Sequence, residues 1–294
     1  MNGSPVFVCP RTRGPLKDWY SQEGHVTYPL VDGVPVLVPE PVAAMGRGTP
    51  RKVDQADATR AGFPDAITPH LPPSLFAAPA GFGQWLASLG DNGPDAVCAT
   101  LAARHGGAGP ALDVGCGVGP MARRMVAMGR PTWAFDVSVD AVLLARGLLC
   151  GQLPQTTIPT HRNGLRRVKV PFKPITQGLT FCVADAVTPP FLPESFRWVH
   201  LGDVLDHAGD AVGDVLVSSA ELVAPGGIFT VTTSYATPGE PSETAPPPDD
   251  ELLEAFEGLG LQVVEQQDRV PHIVREYDRS YRVRFMHCVA AKKR

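Results

Sequence analysis

Residues 111–119 read ALDVGCGVG. An apolar strand pattern, broken only by Asp113, runs into three glycines at alternate positions, Gly115, Gly117 and Gly119, and Pro120 then opens the helical pattern PMARRMVAMG. Glycines at such a strand-to-helix turn let the backbone approach a ligand without Cβ contacts. The turn alone does not choose among ligands: nicotinamide and flavin cofactors, nucleotide phosphates and S-adenosylmethionine all use glycine-rich βα turns. A dinucleotide site favours GxGxxG, whereas this stretch gives GxGxG.

Outward from the turn, strands and helices alternate. PTWAFDVS and LTFCVADA read as the second and third strands, FRWVHLGD and IFTVTTSY as the fourth and fifth. VDAVLLARGLLCGQL and AVGDVLVSSAELVAPGG read as helices, the latter ending at a glycine turn. PPPDDELLEAFEGLG starts a helix behind prolines with acids in its first turn, and LQVVEQQDRV and SYRVRFMHCVAAKK read as two final strands. Repeating βα units predict an α/β fold, a parallel sheet with helices on both faces. Residues 152–178 read as an insertion with no clear period.

The reading divides the chain in three. Residues 1–45 form a small β module, built from VFVCP, GHVTYPLVDGVP and VPVLVP. Residues 46–109 form a linker rich in Ala, Gly and Pro and a helical cap containing SLFAAPAGFGQWLASL and PDAVCATLAARHG. Residues 110–294 form the main domain. With 44% hydrophobic and 19% charged residues and a net charge of −4, the 294-residue chain is ordinary for a soluble protein. That balance argues against a nucleic-acid binder, Arg162, Arg166, Arg167, Lys169 and Lys173 being the one basic patch. No apolar run spans a bilayer and the N-terminus lacks a signal peptide's apolar core, so the cytoplasm is the expected location. The six cysteines are scattered without a CxxC pair, and no metal is expected.

Together these stretches resemble the class I S-adenosylmethionine-dependent methyltransferases: DVGCGVG after the first strand, an acid (Asp136) ending the second, FCVADA after the third, HLGDVLDH after the fourth and LVAPGGIFTV before the fifth. The resemblance covers about residues 110–294 and implies a Rossmann-like seven-stranded sheet with S-adenosylmethionine as cofactor. It implies that Gly115, Cys116 and Gly117 line the methionine part, with Asp113 reaching its amino group through water. Asp136 would hold the ribose, Val137 and Ala186 would lie by the adenine, and Asp185 would bond the adenine amino group. Gly202 and Asp203 would border the methionine end. Arg197 stands where the family often has an acid, which reads as a surface change.

The acceptor side is less determined. GDVLDHAGD offers Asp206 and His207 as an acid–histidine pair, and Tyr235 ends the fifth strand. The C-terminal VPHIVREYDRSYRVRFMHCVAAKK is similar to the ends of methyltransferases acting on histidine-type imidazoles, carnosine-like substrates included. That similarity implies a pocket bordered by His272, Arg275, Glu276, Tyr277, Arg279 and Tyr281, with Tyr277 and Arg279 nearest the chemistry. The expected reaction is methyl transfer to a nitrogen of a small molecule or peptide. An rRNA or tRNA base methyltransferase, an O-methyltransferase, and a cofactor-binding scaffold without turnover stay open, as does a homodimer. The N-terminal module resembles a short zinc ribbon found near some methyltransferases, but Thr12 replaces the second cysteine of CPxC and no second cysteine pair follows, so apolar packing must hold it.

Overall fold

The computed structural model describes residues 5–40, 93–161, 164–170, 173–236, 248–277 and 280–294, with the backbone alone given for 159, 161, 248, 274–277 and 280–281. The expected SLFAAPAGFGQWLASL helix lies outside the described residues. The PDAVCATLAARHG helix is α1 (Pro94–His105), opened by a proline, whose missing N–H costs nothing at a first helical turn.

The seven expected strands are present in the expected order of pattern. They are β5 (Ala111–Val114), β6 (Thr132–Asp136), β9 (Leu179–Ala184), β10 (Phe196–Gly202), β11 (Val223–Thr233), β12 (Leu261–Tyr277) and β13 (Ser280–Lys293). The sheet holding them has nine strands, ordered β12-β13-β11-β10-β5-β6-β9-β4-β3. The two additional strands, β3 (Leu30–Val31) and β4 (Val34–Leu37), come from the N-terminal module, whose remaining strands β1 (Tyr20–Ser21) and β2 (Val26–Thr27) pair with each other. β4 joins β9 in parallel, Val36 opposite Val183 and Leu37 opposite Ala184. The central strands are parallel, and only β13, β12 and β3 run against their neighbours.

Helices α1, α2 (Pro120–Ala127) and α3 (Val139–Leu149) cover one face, burying Trp198, Ile228, Met121, Ala134 and Phe181. Ser138 caps α3 by accepting the amide of Ala141 at 3.2 Å. Helices α4 (Val212–Glu221) and α5 (Pro248–Gly258) cover the opposite face, where Phe229 meets Phe256. No helix joins β9 to β10: residues 185–195, all described, are turns. The β6–β9 end of that face would be bare, and the module covers it. Tyr28, Leu37 and Cys9 are buried in one cluster with Phe135, Cys182, Phe191 and Phe196. Phe7 packs on Phe191 at 5.3 Å between ring centroids. Val8 donates its amide to the Pro190 carbonyl, and Arg13 donates its guanidinium to that of Pro189.

The 152–178 insertion, read as lacking a period, is a hairpin of β7 (Gln155–His161) and β8 (Gly164–Lys169). Its alternation is masked by Pro159 and by an irregularity in register between Pro159 and His161. Ile158 packs under Leu148, while Arg166, Arg167 and Lys169 face solvent.

Candidate functional site

The glycine turn is built around positions a side chain cannot occupy. Gly115 has φ +68°, and a Cβ there would lie 2.2 Å from Val204 Cγ2. Gly119 sits at φ +80° with Leu149 Cδ1 2.7 Å from a would-be Cβ, and it turns the chain into Pro120 and α2. The bare backbone faces the carboxyl ends of the strands, where ligands of such sheets bind. Asp136 closes this cradle: Oδ2 accepts the amide of Gly117 at 3.0 Å and Oδ1 that of Ser138 at 2.8 Å. Burial raises its pKa, and these amides partly offset the rise. A carboxylate has about four lone-pair positions, so two remain for ribose hydroxyls. Val137 beside it is 66% exposed, an apolar surface matching a planar base. Asp185 heads the turn after β9, Oδ1 accepting the amide of Val187, and Ala186 follows it half-buried. An S-adenosyl group fits these residues: backbone without Cβ, a ribose acid, an apolar shelf and a second acid.

Asp113 also has a structural task, and Cys116 is the small residue the sequence implies. Asp113 is 2% exposed, and its Oδ2 accepts the amide of Ala122 at 2.9 Å, so it pins the first turn of α2. Cys116 is buried, and burial pushes its thiol well up, so it is a small neutral wall and no nucleophile. Gly202 is required by His200, whose Nε2 would lie 2.5 Å from a Cβ. Arg197, expected as a surface change, donates to the carbonyls of Pro225 and Gly226 and ties down the start of β11.

After β10 the chain places a carboxyl pair. Asp206, in a short 3₁₀ turn, is 6% exposed and accepts from Thr233 Oγ1 at 2.5 Å, Ser234 Oγ at 2.5 Å and the Ser234 amide at 2.9 Å. Burial favours its neutral form, but those donors outweigh it and hold the carboxyl below its ordinary range. Asp203 is the complement. Burial, then the hydrogen bond and negative charge of Asp206, push it up to about 7, with Arg284 opposing. Its Oδ2 faces Arg284 Nη1 at 3.7 Å. Its buried Oδ1 has no hydrogen-bond partner, which leaves that oxygen free to take a proton. Asp203 is held at φ +57° by its amide, which donates to the Thr232 carbonyl and hydroxyl. His272 pairs with Arg284 across β12 and β13, and its buried Nδ1 also lacks a partner.

His207 does not join this pair. It is exposed, and the acid–histidine pair expected in GDVLDH is split, Asp206 turning inward to β11 and His207 outward, because successive residues of a tight turn diverge. Tyr235, at φ +56°, donates its hydroxyl to His287 Nδ1 at 2.5 Å, and His287 Nε2 donates to Gln266 Oε1 at 3.0 Å. Arg279 lies outside the described residues, as do the side chains of Arg275, Glu276, Tyr277 and Tyr281. Sequence reading missed Arg284, His287 and Gln266. A signal existed: Arg284 and His287 are polar interruptions beside Met286 and Cys288, which are fully buried on the same strand. Among the described residues, no group of three or more His, Cys, Asp or Glu is placed to hold a metal ion.

The model of a family described as "methyltransferase domain" matches residues 92–266. No curated protein matches the chain in sequence. Similar solved structures include the [4+2]-cyclase SpnF, 18% identical, covering 68% of this chain and 81% of that one with a TM-score of 0.46. A SAM-dependent methyltransferase of Methanosarcina mazei is 14% identical, covering 63% and 92% with a TM-score of 0.44. A putative methyltransferase of Bacillus halodurans is 16% identical, covering 67% and 98% with a TM-score of 0.45.

Proposed function

The chain belongs to the methyltransferase-domain family and is an S-adenosylmethionine-dependent methyltransferase, and from that premise we propose that it methylates a nitrogen of a small molecule or peptide, an imidazole or an amine. The observation that carries this reading is Asp203: a buried carboxyl with a free oxygen at the carboxyl end of β10, beside Arg284, whose cross-strand partner is His272. Bound in the cradle, S-adenosylmethionine supplies an already activated methyl group. The chain's own task is to align the acceptor and take its proton. An ammonium or a protonated imidazole must lose a proton before its nitrogen is a nucleophile. Asp203 titrates near 7, where a proton acceptor is most effective at neutral pH. Asp206, anchored by Thr233 and Ser234, stays ionised, and its negative charge helps to hold the Asp203 pKa up. Arg284, which faces Asp203 Oδ2, would also meet an acceptor carboxylate, as in an amino acid or peptide terminus.

The test supplies the protein with methyl-labelled S-adenosylmethionine and free histidine, histidine-containing peptides, histamine or primary amines, and reads S-adenosylhomocysteine release and the position of the label. Label on nitrogen is expected, with turnover that rises through pH 7 in the wild type and loses that rise in Asp203→Asn. Label on a hydroxyl oxygen or on an RNA base would sink the proposal. The RNA outcome has its own signature, because phosphate contacts by Arg166, Arg167 and Lys169 would make binding fall steeply with salt.

A further inference from the structure

The N-terminal module carries two turns that face a common point. The first runs from Cys9 to Thr12, with the Arg13 amide donating to the Cys9 carbonyl at 2.8 Å and the Cys9 amide to the Gly14 carbonyl at 2.9 Å. The second runs from Ser21 to Gly24, with the Gly24 amide donating to Ser21 Oγ at 3.0 Å. Each pair is separated by two residues, as in a metal knuckle. The point they share is Cys9 Sγ, fully buried. It is within 3.1 Å of the Tyr28 hydroxyl, with the hydroxyls of Ser21 and Thr12 on the two turns beside it. Gly24 also points there: a Cβ on it would sit 3.4 Å from Cys9 Sγ and 3.1 Å from Ser21 Oγ. Positions 9, 21 and 24 therefore meet at one small volume, and Thr12 ends the turn that Cys9 opens. Sequence reading found no second pair because it looked for cysteines, and the second pair holds none.

A zinc ion does not fit this donor set. Structural zinc takes four ligands from thiolate, imidazole and carboxylate. Here one thiol remains, two positions carry hydroxyls and the fourth carries no side chain. We infer that residues 9, 12, 21 and 24 are the corners of a metal site in which hydrogen bonds to a single buried sulfur have replaced the metal. The replacement is chemically coherent. Zinc in such a site neutralises thiolate charge and ties two turns together. Hydroxyl donors from Thr12, Ser21 and Tyr28 solvate one sulfur and tie the same two turns to it and to the core. Burial alone would raise the Cys9 thiol, but these donors reverse that and hold it at about 7. Apolar packing of Tyr28, Val36 and Leu37 supplies the rest.

The test has two independent arms. The full-length wild type, purified without chelator, is analysed for zinc by elemental mass spectrometry and melted with and without EDTA. No stoichiometric zinc and an unchanged melting temperature are expected. Stoichiometric zinc, or a melting temperature lowered by EDTA, overturns the inference. In the second arm the triple variant Thr12→Cys, Ser21→Cys, Gly24→Cys is produced with zinc, then exchanged with Co²⁺. One metal per chain with the visible absorption of tetrahedral cobalt–thiolate, and a melting temperature that now falls on chelation, are expected. A folded triple variant that takes up no metal overturns the four-corner geometry. Where that variant does not fold even with zinc, Cys9→Ala in the otherwise native chain decides. A melting temperature lowered clearly more than by Cys182→Ala, another fully buried thiol, is expected, and an equal or smaller loss overturns the role of the sulfur as a hub.

Discussion

Asp136 illustrates how one side chain can shape a loop and offer a ligand site together. It receives the amides of Gly117 and Ser138 and keeps lone pairs for ribose hydroxyls. Losing charge-assisted hydrogen bonds costs roughly 1.5–3 kcal/mol, so Asp136→Ala should weaken S-adenosylhomocysteine binding by roughly ten- to a hundredfold. Calorimetric titration checks this, and unchanged affinity would remove the ribose role. Asp203 gives a pH prediction of definite sign. Its folded pKa of about 7 lies above the ordinary carboxylate value near 4, so the folded protein binds more protons than the unfolded chain between the two. The contribution to stability is therefore fully present below about pH 4 and is lost as pH rises toward 7, at up to about 1.4 kcal/mol per pH unit. Asp203→Asn removes that slope and should be the more stable protein at pH 8, as read from urea unfolding of both proteins between pH 5 and 8. Parallel stability curves would return Asp203 to an ordinary carboxylate. At this scale the sequence was legible where a residue type is forced. Gly115 and Gly119 announce themselves because no Cβ fits. His287 and Arg284 do not, because their meaning comes from strands that meet only in the fold.

The strands and helices of the main domain were legible because each has a local period and a local stop. α1 and α2 open on prolines, Ser138 caps α3, and the fully buried β5 reads as an apolar run broken only by Asp113. The pairing of β4 with β9 was not legible, because a parallel ladder between residues 36 and 183 leaves no mark in either segment. Its energetic weight is testable at Leu37, which is fully buried in the cluster shared by the module and the main domain. Leu37→Ala should cost about 2–5 kcal/mol of global stability, the range for a buried leucine truncated in a packed core. The measurement is equilibrium denaturation followed by far-ultraviolet circular dichroism, which the helices of the main domain dominate. A change confined to the module, leaving that transition unmoved, would mean the strand is only an appendage.

At the scale of the whole molecule, the module stands in for a missing layer. A strand of a doubly wound sheet is normally followed by a helix that covers it, yet β9 is followed by turns. The side chains such a helix would bury, Phe135, Cys182 and Phe196, are buried instead by Tyr28, Cys9 and Phe191, with Phe7 and Trp19 packed outside them. Ionic ties add little here, whereas a shared apolar core couples the two parts because neither can open without exposing the other's surface. The whole chain should therefore melt in one calorimetric transition whose calorimetric and van't Hoff enthalpies agree. Removing residues 1–40 should not leave a stable main domain with a lower melting temperature. It should expose a contiguous aromatic face, and the remainder should aggregate or bind a hydrophobic dye. The same face lies directly beneath the turn headed by Asp185, since Val8 and Arg13 grip the carbonyls of Pro190 and Pro189 just beyond it. Milder disruption should thus reach the cofactor before it reaches the fold. Arg13→Ala, which removes one side-chain hydrogen bond and none of the buried core, is expected to lower S-adenosylhomocysteine affinity several-fold while shifting the melting temperature only slightly. A variant whose affinity is unchanged would confine the module to a structural role. A variant that loses affinity only in proportion to stability would do the same.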